Sequence, residues 1–161
     1  MRVTLLNIGF AMLLGGALFP ATAMAETPAE AQSRALSLFE KTCLVAFPNF
    51  EKVDAILMKE GFEKSSSGWV SKNGEFVNPA IELSSGGLAC MVTRQKTDAK
   101  GMAQGLANIL QRQKVQGLEL KATKGSRASA TFSKGGIGAK VAIKNLSNGR
   151  AKVASLTIFQ N

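Results

Sequence analysis

Lys140-Val141-Ala142-Ile143-Lys144, then Asn148-Gly149, then Ala154-Ser155-Leu156-Thr157-Ile158-Phe159 are two alternating runs set around a turn dipeptide. Asn-Gly is a strong two-residue hairpin signal, because both central residues of a type I′ turn need positive φ. Successive side chains of a strand point to opposite sides of the sheet. With a last strand running from Arg150 to Phe159, Val141 and Ile143 fall on the same side as Ala154, Leu156 and Ile158. Lys140 and Lys144 share the other side with Ser155 and Thr157. One side is apolar and the other polar, the pattern of an antiparallel sheet covered on one face.

The same alternation extends outward from this pair. Ala128-Ser129-Ala130-Thr131-Phe132 and Leu118-Glu119-Leu120-Lys121 read as strands. Upstream, Gly68 to Lys72 and Glu75 to Asn78 flank Asn73-Gly74, whose two-residue register sets Lys72 opposite Glu75. Two further strands are expected near Ala80 to Leu83 and Leu88 to Arg94, joined through Ser84-Ser85-Gly86-Gly87. Ser65-Ser66-Ser67-Gly68 reads as a loop, and no internal repeat of solenoid period is visible. Lys134-Gly135-Gly136-Ile137-Gly138-Ala139-Lys140 resembles a phosphate-cradling loop, but it lacks the Gly-Lys-Ser/Thr ending and the following helix, so we read it as a hairpin turn.

Helical periodicity occupies the remainder. Leu36, Phe39, Cys43 and Phe47 recur at three- and four-residue steps between Glu30 and Phe47. Pro48 interrupts the stripe, Asn49 offers a cap, and Phe50, Val53, Ile56 and Leu57 renew it until Gly61, giving two short helices or one bent helix. Thr97 and Asp98 cap a helix from Ala99 to about Lys114, with Met102, Leu106, Ile109 and Leu110 inward. The whole reads as α+β, an antiparallel β-sheet with helices packed on one face.

Residues 1–25 have the three parts of a secretory signal: basic Arg2, an apolar run from Leu5 to Phe19, and a small-residue exit at Ala23-Met24-Ala25. Cleavage is expected after Ala25. The run is broken by Asn7, Gly9, Gly15, Gly16 and Pro20 and is shorter than the roughly 20 apolar residues of a spanning helix, which argues against an anchor. Residues 26–161 then form one domain of ordinary size, with no transmembrane segment, in the periplasm or, as the alternative, secreted. In such an oxidising space Cys43 and Cys90 are expected to pair, tying helix to strand. They close a loop of roughly 48 residues, for which chain entropy gives roughly 4 kcal/mol. A redox role would want a Cys-x-x-Cys spacing or a neighbouring His, and neither exists.

The sequence contains no His at all. Ser-His-Asp and Cys-His catalysis are thereby excluded, as is a four-ligand Cys/His zinc site, so no metal and no cofactor are expected. No Ser-x-x-Lys or Gly-x-Ser-x-Gly motif offers a substitute, and a non-enzymatic protein is the expectation. Glu51 and Asp54 sit at helical spacing as a paired-acid candidate, but Lys52 and Lys59 nearby fit a solvated helix face. Trp69, the one Trp, is a ligand platform or, as such residues beside a hairpin more commonly are, a core residue.

Charge divides the chain. Residues 26–93 carry 6 Lys and Arg against 9 Asp and Glu, whereas residues 94–161 carry 13 against 2. A field of one sign bears on partners rather than on fold. Lys140 and Lys144 are the expected centre of an anion-binding face, with Arg94, Lys96, Lys121, Lys124 and Arg127 as extensions. The bland alternative is that they are solvating charges that discourage edge pairing. The partner expected is an anionic envelope component or an acidic protein. Nucleic acid fits poorly, since single-strand binders interleave cations with stacking aromatics and the basic half has only Phe132 and Phe159. The competing function is an inhibitor or immunity-type protein that binds a toxin or hydrolase through the loops at Ser65 to Gly68 or Ser84 to Gly87.

Overall fold

The computed structural model describes residues 25–123, 127–146 and 152–160. Eight strands form one antiparallel sheet: β1 (Glu63–Ser65), β2 (Gly68–Val70), β3 (Glu75–Glu82), β4 (Leu88–Gln95), β5 (Gln116–Thr123), β6 (Arg127–Lys134), β7 (Ile137–Asn145) and β8 (Val153–Gln160). Their order across the sheet is β1-β2-β3-β4-β8-β7-β6-β5. Three helices, α1 (Pro28–Phe39), α2 (Val53–Lys59) and α3 (Ala99–Arg112), cover one face. The α+β reading is therefore correct, and so is the division between faces: Val141, Ile143, Ala154, Leu156 and Ile158 are all buried.

The turns depart from the expected ones, each for a physical reason. Asn73-Gly74 does not close a two-residue loop. Val70 pairs with Phe76 and the Ser71 amide donates to the Glu75 carbonyl at 3.0 Å, so three residues, Lys72 to Gly74, make the turn. Only Gly74, at φ +81°, takes the left-handed conformation that a type I′ turn demands of both central residues. The one-residue change of register brings Ser71, not Lys72, opposite Glu75 and carries Glu75 into the interior. A two-residue turn with both φ positive does occur at Gly135-Gly136, between the paired Lys134 and Ile137.

The Asn148-Gly149 turn lies outside the described residues, but the strands on either side report its register. A two-residue loop there would set Ile143 opposite Ala154. Ile143 instead pairs with Leu156, a shift of two that leaves every side chain on its expected face. The stretches 75–78 and 80–83, read as separate strands, are one strand with an irregularity between Asn78 and Ile81. Pro79, which has no amide to donate, sits within that irregularity. Of the stretch read as a loop, Ser65 ends a short edge strand, Glu63–Ser65, and Gly68 begins its partner β2.

The helices follow their stripes. Thr27 and Glu30 form a reciprocal capping box at the start of α1, which the chain continues through one π-helical turn, Glu40–Leu44. Leu36, Phe39, Cys43 and Phe47 are buried as the periodicity requires. α2 starts at Val53 rather than at Asn49, because Phe50 at φ +58° turns the chain before the helix begins. Asp98 caps α3 by accepting from the Gly101 amide at 2.9 Å, and Met102, Leu106, Ile109 and Leu110 enter the core. Cys43 and Cys90 are joined, with Cα atoms 5.5 Å apart, so the π-helical turn is fastened to β4. Trp69 is a core residue whose Nε1 donates to Asp54 Oδ1 at 2.9 Å.

Chain order and strand order together give the sheet a local twofold character. Each half is a helical segment followed by a four-stranded meander, and the halves meet where β4 pairs antiparallel with β8. The hydrophobic core runs across that seam without a break, from Trp69 through Val77, Val92, Leu156 and Ile143 towards Ala128.

Candidate functional site: the uncovered sheet face

Strand register arranges the side opposite the helices in three rows. One runs Val70, Phe76, Thr93, Ser155, Lys144, Arg127. The second runs Asn78, Met91, Thr157, Ala142, Ser129, Lys121, and the third Ile81, Ala89, Phe159, Lys140, Thr131, Glu119. The face thus grades from apolar over β2 to β4, through Ser and Thr at the centre, to cationic over β5 to β7. Lys140 and Lys144 lie where the alternation put them.

Arg127 stands directly opposite Lys144, and like charges so placed repel at the 4.5–5.5 Å typical of facing side chains. Among the described residues, no carboxylate lies within ion-pair distance of Arg127, Lys140 or Lys144. Lys121 Nζ has Glu119 Oε2 at 3.9 Å, on two side chains that are mostly exposed. Lys140 Nζ sits 6.0 Å from the centroid of the Phe159 ring, a cation over an aromatic face. Lys124 lies outside the described residues.

The other two expected cations are elsewhere. Arg94 is 3 % exposed and points to the covered side, where its guanidinium pairs with Glu75 Oε1 at 2.5 Å and with Glu26, and donates to the Asn73 carbonyl at 2.7 Å. Its charge is spent on a buried network that also includes Ser71, donating to Glu75. Alternation contained the signal, since Arg94 is two and four residues from Val92 and Cys90 and so shares their inward side. Lys96, exposed and at φ +59°, donates to the Glu26 carbonyl at 3.2 Å, at the same corner as Arg94. The basic face therefore comprises Lys140, Lys144, Arg127 and Lys121, without Arg94 and Lys96. Sequence reading missed the apolar half, Val70, Phe76, Met91 and Phe159: the altered register of the β2–β3 hairpin hides the side taken by Val70 and Phe76, and only the β4–β8 pairing brings Met91 and Phe159 beside them.

Asp54, the paired-acid candidate, is engaged by Trp69 and by Lys64 at 3.1 Å, while Glu51 is exposed. Lys134, at the end of β6, donates to the Leu44 carbonyl, and burial holds its ammonium below the ordinary lysine range. The class so defined is an α+β protein with a bridged helix–sheet core and one bare, partly basic sheet face. No family model matches the chain, and no curated protein or solved structure matches it either. The disulfide is compatible with an extracellular or periplasmic protein, and among the described residues no helix is long and apolar enough to cross a membrane.

Proposed function

We propose that this is an exported, non-enzymatic protein of the periplasm, or alternatively a secreted one, whose uncovered sheet face binds an anionic envelope component or an acidic protein. The observation that carries the reading is the Arg127–Lys144 pair, with Lys140 beside it and no described carboxylate within pairing distance of the three. Stability alone would favour opposite charges at facing positions, so a repelling pair on a bare face is the arrangement an anion would relieve. The leader at residues 1–25 and the bridge support export. Binding to an acidic polysaccharide should weaken with added salt, because exposed charges are screened. Lys140→Glu combined with Lys144→Glu should weaken it by about tenfold or more, equivalent to about 1.4 kcal/mol. Salt-insensitive binding unaffected by that double substitution overturns the reading.

The inhibitor or immunity-type alternative is favoured by one feature. The strand directions bring the Ser66-Ser67, Ser84–Gly87 and Gly135-Gly136 tips to the same end of the sheet. Small, exposed tips in a row suit insertion into a partner's cleft, and a stoichiometric complex that tolerates salt would select this alternative.

A further inference from the structure

The sheet has two outer strands, and they are unlike. β1 has three residues, and so short an edge offers little to a pairing chain. β5 runs for eight, Gln116–Thr123, and among the described residues no backbone hydrogen bond reaches its outer side. α3 packs over β6, β7 and β8 and lies only lightly on β5, so Leu120 is 50 % exposed although its pairing with Ala130 puts it on the covered side. Glu119 and Lys121 flank it on the uncovered side. Both are mostly exposed and hold each other only loosely, with Lys121 Nζ 3.9 Å from Glu119 Oε2. Charged side chains on an edge discourage pairing where like would meet like. Here the two charges are of opposite sign and sit symmetrically about one apolar residue, a pattern complementary to itself.

We propose that β5 pairs antiparallel with β5 of a second copy of this chain, centred on Leu120, giving a symmetric dimer with one continuous sheet. In that register Glu119 of each copy faces Lys121 of the other, and the two Leu120 side chains meet on the covered side. Centring the pair on Glu119 or on Lys121 would set like charges face to face, so charge selects the register. A twofold axis normal to the sheet relates the two edges, so the helices of both copies stay on one side and the two uncovered faces become continuous. Arg127 lies one strand in from β5, and its counterpart in the second copy is three strand spacings away, about 14 Å. Exposed charges are largely screened beyond about 8 Å at physiological ionic strength, so the two basic halves do not forbid the contact. The irregularity between Gln116 and Glu119, where Gly117 has φ +62°, limits the straight part of the edge, so the seam is short and the dimer a weak one. Nothing in this pairing depends on what the uncovered face binds.

The test is analytical ultracentrifugation of the mature chain over a range of concentrations. A monomer–dimer equilibrium is expected, with a dissociation constant below about 100 μM, weak as suits a small interface. Lys121→Glu and Glu119→Lys each set like charges opposite one another at both symmetric positions, and each should raise that constant by about tenfold or more. The two reversals combined in one chain should restore the dimer. Mixing the two singly substituted chains should give a heterodimer at concentrations where neither dimerises alone. Thermal melts confirm that each variant is folded. A natural protein that stays monomeric up to about 1 mM overturns the proposal. So does a dimer indifferent to the single reversals, or a pair of single variants that mixing does not rescue. A strand of another protein captured on β5 by a chain that does not pair with itself overturns it as well, as does open-ended growth in which β5 meets β1.

Discussion

Arg94 shows how one residue can be legible in kind and illegible in role. Its charge is plain in the sequence, and its position two residues beyond Val92 turns it inward. Its partners, Glu75 and Glu26, become neighbours only through the three-residue hairpin turn and the start of α1. Removing one member of a buried ion pair leaves the other charge without compensation, at about 3–5 kcal/mol. Arg94→Met is therefore expected to lower unfolding free energy by about that amount in urea titration, while leaving polysaccharide binding in place. Lys134 acts in the opposite sense. Because burial lowers its folded-state value below the usual 10.5, charging it opposes folding, and the folded chain releases this proton before the unfolded one as pH rises. The difference in urea midpoint between the natural protein and Lys134→Met should thus move in favour of the natural protein as pH climbs through the folded value towards 10.5. A difference independent of pH would contradict it.

At the scale of elements, stripes and alternations were readable, and turns were not. The burial of Leu36, Phe39, Cys43 and Phe47 follows from spacing alone, as does the division of β7 and β8 between two faces. Turn geometry depends on what the flanking strands must do. Before Asn73-Gly74 the strand is held by Trp69, whose Nε1 donates to Asp54, and the turn takes three residues, whereas Gly135-Gly136 closes in two with both φ positive. The irregularity at Pro79 and the short β1 were likewise invisible, because neither carries enough residues to show a period. The bridge between the π-helical turn and β4 was legible from an even count of sulfurs and the expectation of export. Replacing both Cys43 and Cys90 by Ala is expected to cost about 4 kcal/mol through the freed unfolded chain. Thermal unfolding of that variant beside the natural protein is the check.

Across the whole molecule, charge and cover follow the two halves. The acidic half carries the bridge, the helix pair and most of the apolar side of the bare face, while the basic half carries the cations and Phe159 beside them. Composition revealed the first division, since a count of charges needs no structure. The local twofold was hidden, because it resides in strand order and the two halves share no sequence period.

Strand order also fixes what synthesis from the amino end must leave until last. Both sulfurs belong to the first half, one in its helical segment and one in its last strand, so that portion has everything it needs to be sealed before the remainder arrives. Its final strand, β4, then waits with one side unpaired, and the strand that completes it is the last to be made of those among the described residues. A premature stop ahead of Val153 would therefore not trim the rim of the sheet. It would split the molecule down its middle, leaving two bare edges free to recruit other chains.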